Sequence, residues 1–168
     1  GAVTALLRPG TRLLDVACGT GTVARRLIRE TIGDIDLALL DASPKMIAKC
    51  QDIRATHLIG CMTKLPFDPD AIDLLTCAWG IETLRDPRPA LAEFVRVTRP
   101  GGHVCLVFCA DRPAQSLLAR ALRQTVTHSG RGQFLNHATL RTLAIEAGVR
   151  HVQTLHCTGP AAAMILHV

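Results

Sequence analysis

Tyrosine is absent from the chain, tryptophan occurs once (Trp79) and phenylalanine four times, so aromatic residues make up 3% of the 168 residues. A chain so poor in rings lacks the stacking platforms that single-strand nucleic-acid binding relies on, and nucleic acid is not an expected partner. No apolar run reaches membrane-spanning length, and no secretory leader pattern opens the sequence. The first residues, Gly1 and then A2-V3-T4-A5-L6-L7, read as the end of a helix, so the start is expected to be a processed or trimmed one. Neither an internal repeat nor a low-complexity linker interrupts the chain. No C-x-x-C occurs, and the seven cysteines (18, 50, 61, 77, 105, 109, 157) are odd in number and mostly set in apolar runs. This is the use of cysteine as a small hydrophobe in a reducing, cytoplasmic compartment rather than as a disulfide frame. Cys105 and Cys109 would share a strand face, but no neighbouring Cys/His pair completes a metal site.

What is present is ample for one globular domain spanning 1–168. Hydrophobic residues make up 48% of the sequence and charged residues 20%. That rules out wholesale disorder and implies a core of Leu, Ile, Val and Ala. The net charge is +5, and residues 111–168 carry six basic and two acidic side chains. The favoured reading is a soluble, arginine-rich surface; a face for an anionic partner or membrane surface is the alternative.

Short apolar runs alternate with helix-period segments, the rhythm of a βαβ protein. Strands are predicted at 12–17, 35–40, 56–59, 71–77, 103–109, 151–157 and 161–167. Helices are predicted near 22–31, 44–53, 88–98, 113–127 and 138–147. Ser43-Pro44 is a good N-cap pair, Pro100-Gly101-Gly102 reads as a turn, and Gly148 as a helix stop. Continuous apolar runs in the early strands fit a parallel sheet covered on both faces.

Residues 13–24 read L-L-D-V-A-C-G-T-G-T-V-A. An apolar strand enters Gly19-x-Gly21 and a helix follows. Glycines there allow a tight turn and close approach of a ligand, and the exposed amides of the helix start favour a negative group. Asp41 ends the second strand twenty residues after Gly21, where a carboxylate can accept hydrogen bonds from ribose hydroxyls. Together these features indicate an adenosine-containing cofactor. G-x-G-x-x-A also fits a nicotinamide or flavin site. Asp15 argues against that, because it would sit near a dinucleotide pyrophosphate and repel it. A carboxylate there suits a cationic ligand such as S-adenosylmethionine, with capping of the turn's own amides as the alternative.

On these residues the chain resembles the class I S-adenosylmethionine-dependent methyltransferases. L14-D-V-A-C-G-T-G21 is similar to their first motif and D41-A-S-P-K-M46 to their second acidic motif. G60-C-M-T-K-L-P-F67 is similar to G-D-A-x-x-L-P-F, and A90-L-A-E-F-V-R-V-T-R-P-G-G102 to L-x-E-x-x-R-V-L-K-P-G-G. The nearest resemblance is to the ubiquinone/menaquinone C-methyltransferases, whose last strand T158-G-P-A-A-A-M-I-L-H167 also resembles. The resemblance implies a three-layer Rossmann-like α/β fold, its seven-stranded sheet mostly parallel with an antiparallel last strand. It implies S-adenosylmethionine as cofactor and a small-molecule or lipid-like acceptor, with a quinone precursor as the first choice. Phospholipid amines and small O- or N-acceptors come next.

By resemblance, Asp15 and the backbone of Ala17, Cys18, Gly19, Thr20 and Gly21 would face the methionine moiety. Asp41 would hold the ribose, Ala42 and Met46 would pack on adenine (Met46 with helix core as its alternative), and Cys77–Ala78 would close the methionine pocket. Three departures stand beside this. The family aspartate that meets the adenine amino group is Cys61, a poor acceptor, which shifts adenine recognition to the backbone of Met62. The F-G-x-R-N of the quinone group is W79-G80-I81-E82-T83. Glu82 is then the one candidate for a general base, though a solvated loop carboxylate is the favoured reading. Trp79 falls beside the expected pocket, with burial in the core as its alternative. Finally, about a dozen residues precede the first motif and the insertion after the fifth strand is reduced to 111–136, so the site is expected to be open.

The segment 112–131 is a basic amphipathic helix candidate, with Leu117, Leu118, Ala121 and Leu122 among its apolar face. Packing on the sheet is the favoured reading and peripheral membrane contact the alternative. A homodimer or a partner protein that completes the site is an open expectation. Two readings of other classes also stand: a nicotinamide-dependent oxidoreductase, and a non-catalytic methyltransferase-like module that works through a partner.

Overall fold

The computed structural model describes residues 2–31, 33–111, 133–157 and 161–168. The basic candidate helix at 112–131 therefore lies outside the described residues, as does Thr158–Pro160 at the start of the expected last-strand segment. Seven strands form one sheet: β1 (Arg12–Val16), β2 (Asp36–Asp41), β3 (Thr56–Ile59), β4 (Ile72–Ala78), β5 (Thr98–Cys109), β6 (His151–His156) and β7 (Ala161–His167). Their order is β3-β2-β1-β4-β5-β7-β6. β1 to β5 pair in parallel, and β7 runs antiparallel to both β5 and β6. The expected fold class is the observed one.

The sequence explains the layers. In β1, Leu14 and Val16 enter one core and Leu13 the other; in β2, Ala38 and Leu40 oppose Leu37 and Leu39. Both faces are covered, so these strands read as unbroken apolar runs rather than as alternating ones. Helix α1 (Thr22–Glu30) buries Ala24 and Leu27 against one face. Its exposed side carries the Arg26–Glu30 pair, 2.8 Å apart and four residues along the helix. Helix α3 (Arg88–Val97) buries Ala90, Leu91, Phe94 and Val97 against the opposite face. Helix α4 (His137–Glu146) also lies there, its start capped by Asn136, which accepts the Thr139 N–H at 3.1 Å. Phe94 and Phe108 are fully buried, and the rest of the described core is aliphatic apart from Met164 and the buried Cys18, Cys50, Cys77 and Cys105.

Two elements differ from the sequence expectation. Helix α2 spans only Pro44–Ile47 and tightens into a 3-10 turn at Ala48–Cys50. Ser43 precedes it without capping through its side chain; its carbonyl accepts the N–H groups of Met46 and Ile47, and its own N–H goes to Asp41. The second difference is at Pro100-Gly101-Gly102, which does not separate α3 from β5. β5 starts at Thr98 and already pairs there with Ile72, and a register shift absorbs the glycines before Leu74 meets His103.

Candidate functional site

The carboxyl ends of β1, β2 and β4 open onto one cleft of about 660 Å³. Parallel strands direct their ends to a common edge, and the strand order reverses between β1 and β4, the place where such sheets bind ligands. Three turns wall the cleft, joined by Gly60, Cys61 and Met62 after β3.

The first turn follows β1. Ala17 (φ 54°), Gly19 (φ 55°) and Gly21 (φ 77°) all take left-handed backbone. Gly21 donates to Cys18 O at 2.9 Å, and Cys18 N–H reaches across to Leu40 O at 3.1 Å, tying the turn to β2. The second turn follows β2. Asp41 accepts the Gly19 N–H on Oδ2 and the Ser43 N–H on Oδ1, each at 2.9 Å. A carboxylate offers about four lone-pair positions, so two remain for a ligand. The third turn follows β4. Trp79 (φ 60°) is held by its N–H to Val107 O at 2.8 Å. A Cβ on Gly80 would lie 2.5 Å from Ala17 Cβ and 3.0 Å from Cys77 Sγ, so glycine is what lets this turn press onto the first.

Asp15 is the unusual group. It is 1% exposed, yet it contributes to the cleft wall. Its Oδ1 accepts the Thr76 hydroxyl at 2.7 Å, while Oδ2 has no hydrogen-bond partner among the described residues. Burial pushes its pKa up to about 7, with the Thr76 bond and the nearby Ala24 backbone N–H of helix α1 opposing and the Asp41 charge adding. A buried carboxylate with a free oxygen is costly unless a cationic or donor group meets it.

Of the sequence candidates, Asp15, Ala17, Cys18, Gly19, Thr20, Asp41, Ala42, Met46, Cys61, Met62 and Ala78 line the cleft together. Gly21 and Cys77 do not. Gly21 serves packing, since a Cβ there would lie 2.5 Å from Ile53 Cδ1. Cys77 is fully buried behind the wall, its thiol pKa pushed up by that burial. Met46 is half-buried at the cleft rather than sealed in helix core. Cys61 is exposed, its Sγ 3.0 Å from Thr63 Oγ1, a contact that lowers the thiol pKa.

Glu82 is not the solvated loop carboxylate the sequence favours. It is 6% exposed, in a 3-10 turn at Ile81–Thr83. Its Oε1 accepts the Cys109 N–H at 3.2 Å, its carbonyl accepts the Gln133 N–H at 2.8 Å, and Oε2 has no partner among the described residues. Burial raises its pKa. It does not line the cleft.

Sequence reasoning missed Thr22, Val23, Leu40, Ser43, Gly60, Gly80, Thr83 and Leu84 as cleft residues, and Trp79 is exposed rather than core. The available signal was position: Gly80, Thr83 and Leu84 directly follow a strand whose end was already assigned to the pocket. Among the described residues no cluster of three or more His, Cys, Asp or Glu side chains can hold a metal ion, and no helix is long and apolar enough to cross a membrane.

Comparison with known proteins bears on this geometry. Residues 14–106 match the model of a methyltransferase domain family. A demethylmenaquinone methyltransferase of Renibacterium salmoninarum is 39% identical over 98 residues, covering 56% of this chain and 39% of that protein. A ubiquinone/menaquinone biosynthesis C-methyltransferase of Ruegeria sp. is 32% identical over 121 residues, covering 66% and 47%. The chain thus spans less than half the length of these two curated relatives. The crystal structure of an S-adenosylmethionine-dependent methyltransferase from Mesorhizobium loti superposes with a TM-score of 0.77 at 19% identity, over 99% of this chain and 96% of that one, a likeness of fold. The glycine spacing alone admits a nicotinamide enzyme; the family match does not favour it. With the matched residues carrying the whole glycine turn, Asp41 and the Cys61 segment, the chain belongs to the class I S-adenosylmethionine-dependent methyltransferase family.

Proposed function

We propose that this chain binds S-adenosylmethionine in the cleft and transfers its methyl group to a small acceptor, a quinol-type ring being the acceptor class its relatives suggest. The observation that carries the reading is Asp15: a buried carboxylate in the cleft wall, just before the glycine turn, with one oxygen unpartnered among the described residues. A phosphate-bearing dinucleotide would meet repulsion there, whereas the ammonium of a methionine moiety supplies the missing partner.

The residues present fit that cofactor. Asp15 would hold its ammonium, and the two free lone-pair positions of Asp41 suit the ribose hydroxyls. Ala42, Met46 and Met62 would offer apolar surface and backbone groups to the adenine. When bound, S-adenosylmethionine supplies a methyl group already activated on a sulfonium. The chain's own work is then alignment and exclusion of water. The turns after β1 and β4 are rigidly seated on each other at Ala17 and Gly80, which fixes the cleft floor on which an acceptor must be aligned. Glu82, buried outside the cleft, is assigned no proton transfer.

Calorimetric titration with S-adenosylmethionine, run beside titration with NADH, tests the reading. Micromolar binding of the first and none of the second is expected. Tight NADH binding without S-adenosylmethionine binding overturns it. Transfer of labelled methyl to reduced 1,4-naphthoquinone tests the acceptor class, and transfer only to amines would replace it.

A further inference from the structure

Trp79 carries an inference about which acceptor this site selects, and it rests on the methyltransferase reading above. Three observations converge on it. The residue holds left-handed backbone at φ 60°, a conformation costly for a bulky side chain and kept here by its N–H bond to Val107 O and by the tight seat of Gly80 on Ala17. Its side chain is 53% exposed although it is the largest apolar surface in the chain. It also lines the cleft, beside Thr83 and Leu84, and no other aromatic side chain does among the described residues. The fold accepts strain to hold one indole in water at the mouth of the cleft; burying that surface against a ligand recovers what folding leaves unused.

We propose that Trp79 is the acceptor-recognition residue and that it stacks on a neutral, planar conjugated ring. An indole face also attracts cations, so an amine acceptor has to be weighed. The neighbouring charges decide between them. Trp79, Thr83 and Leu84 bring no carboxylate to their side of the cleft, and the adjacent Glu82 is turned away into its bond with Cys109 N–H. Asp15, bonded to Thr76 of β4, and Asp41, bonded to Gly19 N–H, are the two carboxylates of the cleft, and in the reading above the cofactor's ammonium and ribose take them both. A cationic acceptor would lose its hydration without gaining a counter-charge, whereas a flat neutral ring loses little and gains the stack.

Because Trp79 is the only tryptophan, the fluorescence reports on this side chain alone. Titration with 1,4-naphthoquinone is expected to quench it saturably, and butylamine to leave it unchanged. Trp79→Leu, which keeps apolar bulk but removes the ring, is expected to weaken naphthoquinone binding by calorimetry roughly tenfold. Its S-adenosylmethionine affinity should stay within about twofold, and Trp79→Phe should keep most of the acceptor affinity. In turnover with the reduced quinone, the loss should fall on KM rather than on kcat. A non-saturating, purely collisional quench of the wild type overturns the proposal even if Trp79→Leu fails to fold. So does an unchanged naphthoquinone affinity in a folded Trp79→Leu, or saturable quenching by butylamine. Saturable quinone binding without S-adenosylmethionine binding would keep the stack and remove the methyltransferase reading.

Discussion

Gly19 donates its backbone N–H to the carboxylate of Asp41 at 2.9 Å, so the turn after β1 and the acid that ends β2 are one unit. Asp41 is therefore both a candidate ribose acceptor and the clasp that shapes the turn, with Ser43 N–H on its other oxygen.

Replacing that clasp should be felt twice. Asp41→Ala leaves two backbone donors without their partner, which costs roughly 1–3 kcal/mol. In a chain of this length that lowers Tm by about 2–4 °C for each kcal/mol. S-adenosylmethionine affinity should fall in calorimetry by more than the stability loss alone would produce. Equal binding by wild type and variant would show that Asp41 does not hold the ribose.

Asp15 makes stability and binding depend on pH in opposite senses. Its folded pKa of about 7 lies above the ordinary 3.8, so the folded state holds a proton that the unfolded chain has released between those values. Stability consequently falls as pH rises through that window, by up to roughly 4 kcal/mol for a fully buried group. Asp15→Asn should remove this slope in urea titrations and be the more stable protein near pH 8. A cationic ligand favours the ionised form, so S-adenosylmethionine binding should strengthen from pH 5.5 to 7 and release protons, seen as a dependence of calorimetric heat on buffer ionisation enthalpy. Flat affinity across that range would place the ammonium elsewhere.

Much of this was legible in the residues, for a physical reason. Strands covered on both faces must be continuously apolar, and left-handed backbone favours glycine, as at Gly19 and Gly21 but not at Ala17 beside them, so β1, β2 and most of that turn are written locally. The parts that were not legible depend on distant contacts. Pro100-Gly101-Gly102 has turn chemistry, but pairing of Thr98 with Ile72 keeps that stretch in β5. Glu82 looks like a surface loop acid until Cys109, 27 residues on, and Gln133 are folded against it. Gly80 is needed only because Ala17 lies against it. No periodicity encodes such approaches.

Glu82 can be separated from a general-base role by a single substitution. A positioned base contributes about 10²–10⁴-fold, so a base would be lost in Glu82→Gln. The geometry instead makes Glu82 a latch: glutamine keeps an oxygen for Cys109 N–H and removes a charge that burial disfavours. Methyl transfer by Glu82→Gln should stay within about tenfold of wild type. Glu82→Ala, which abandons the Cys109 N–H, should lose stability by about 1–3 kcal/mol. A hundredfold loss in Glu82→Gln with unchanged stability would restore the base.

At the opposite end of the strands, His103, His167 and His151 face one another across β5, β7 and β6, with ring centroids 4.8 Å and 5.3 Å apart. Burial first, and then the neighbouring rings, lower the pKa of His103 and His167; Arg99 adds to the effect on His103. The buried Nε2 of His167 has no hydrogen-bond partner among the described residues. A lowered folded pKa means that the unfolded chain binds the extra proton, so stability is present above the ordinary value of 6.5 and is lost as pH falls below it. Urea unfolding in an Asp15→Asn background, which lacks the opposing Asp15 slope, should show that slope between pH 7 and 5. His167→Gln, which removes the central ring of the row, should flatten it, and an unchanged slope in that variant would assign the acid sensitivity to other groups.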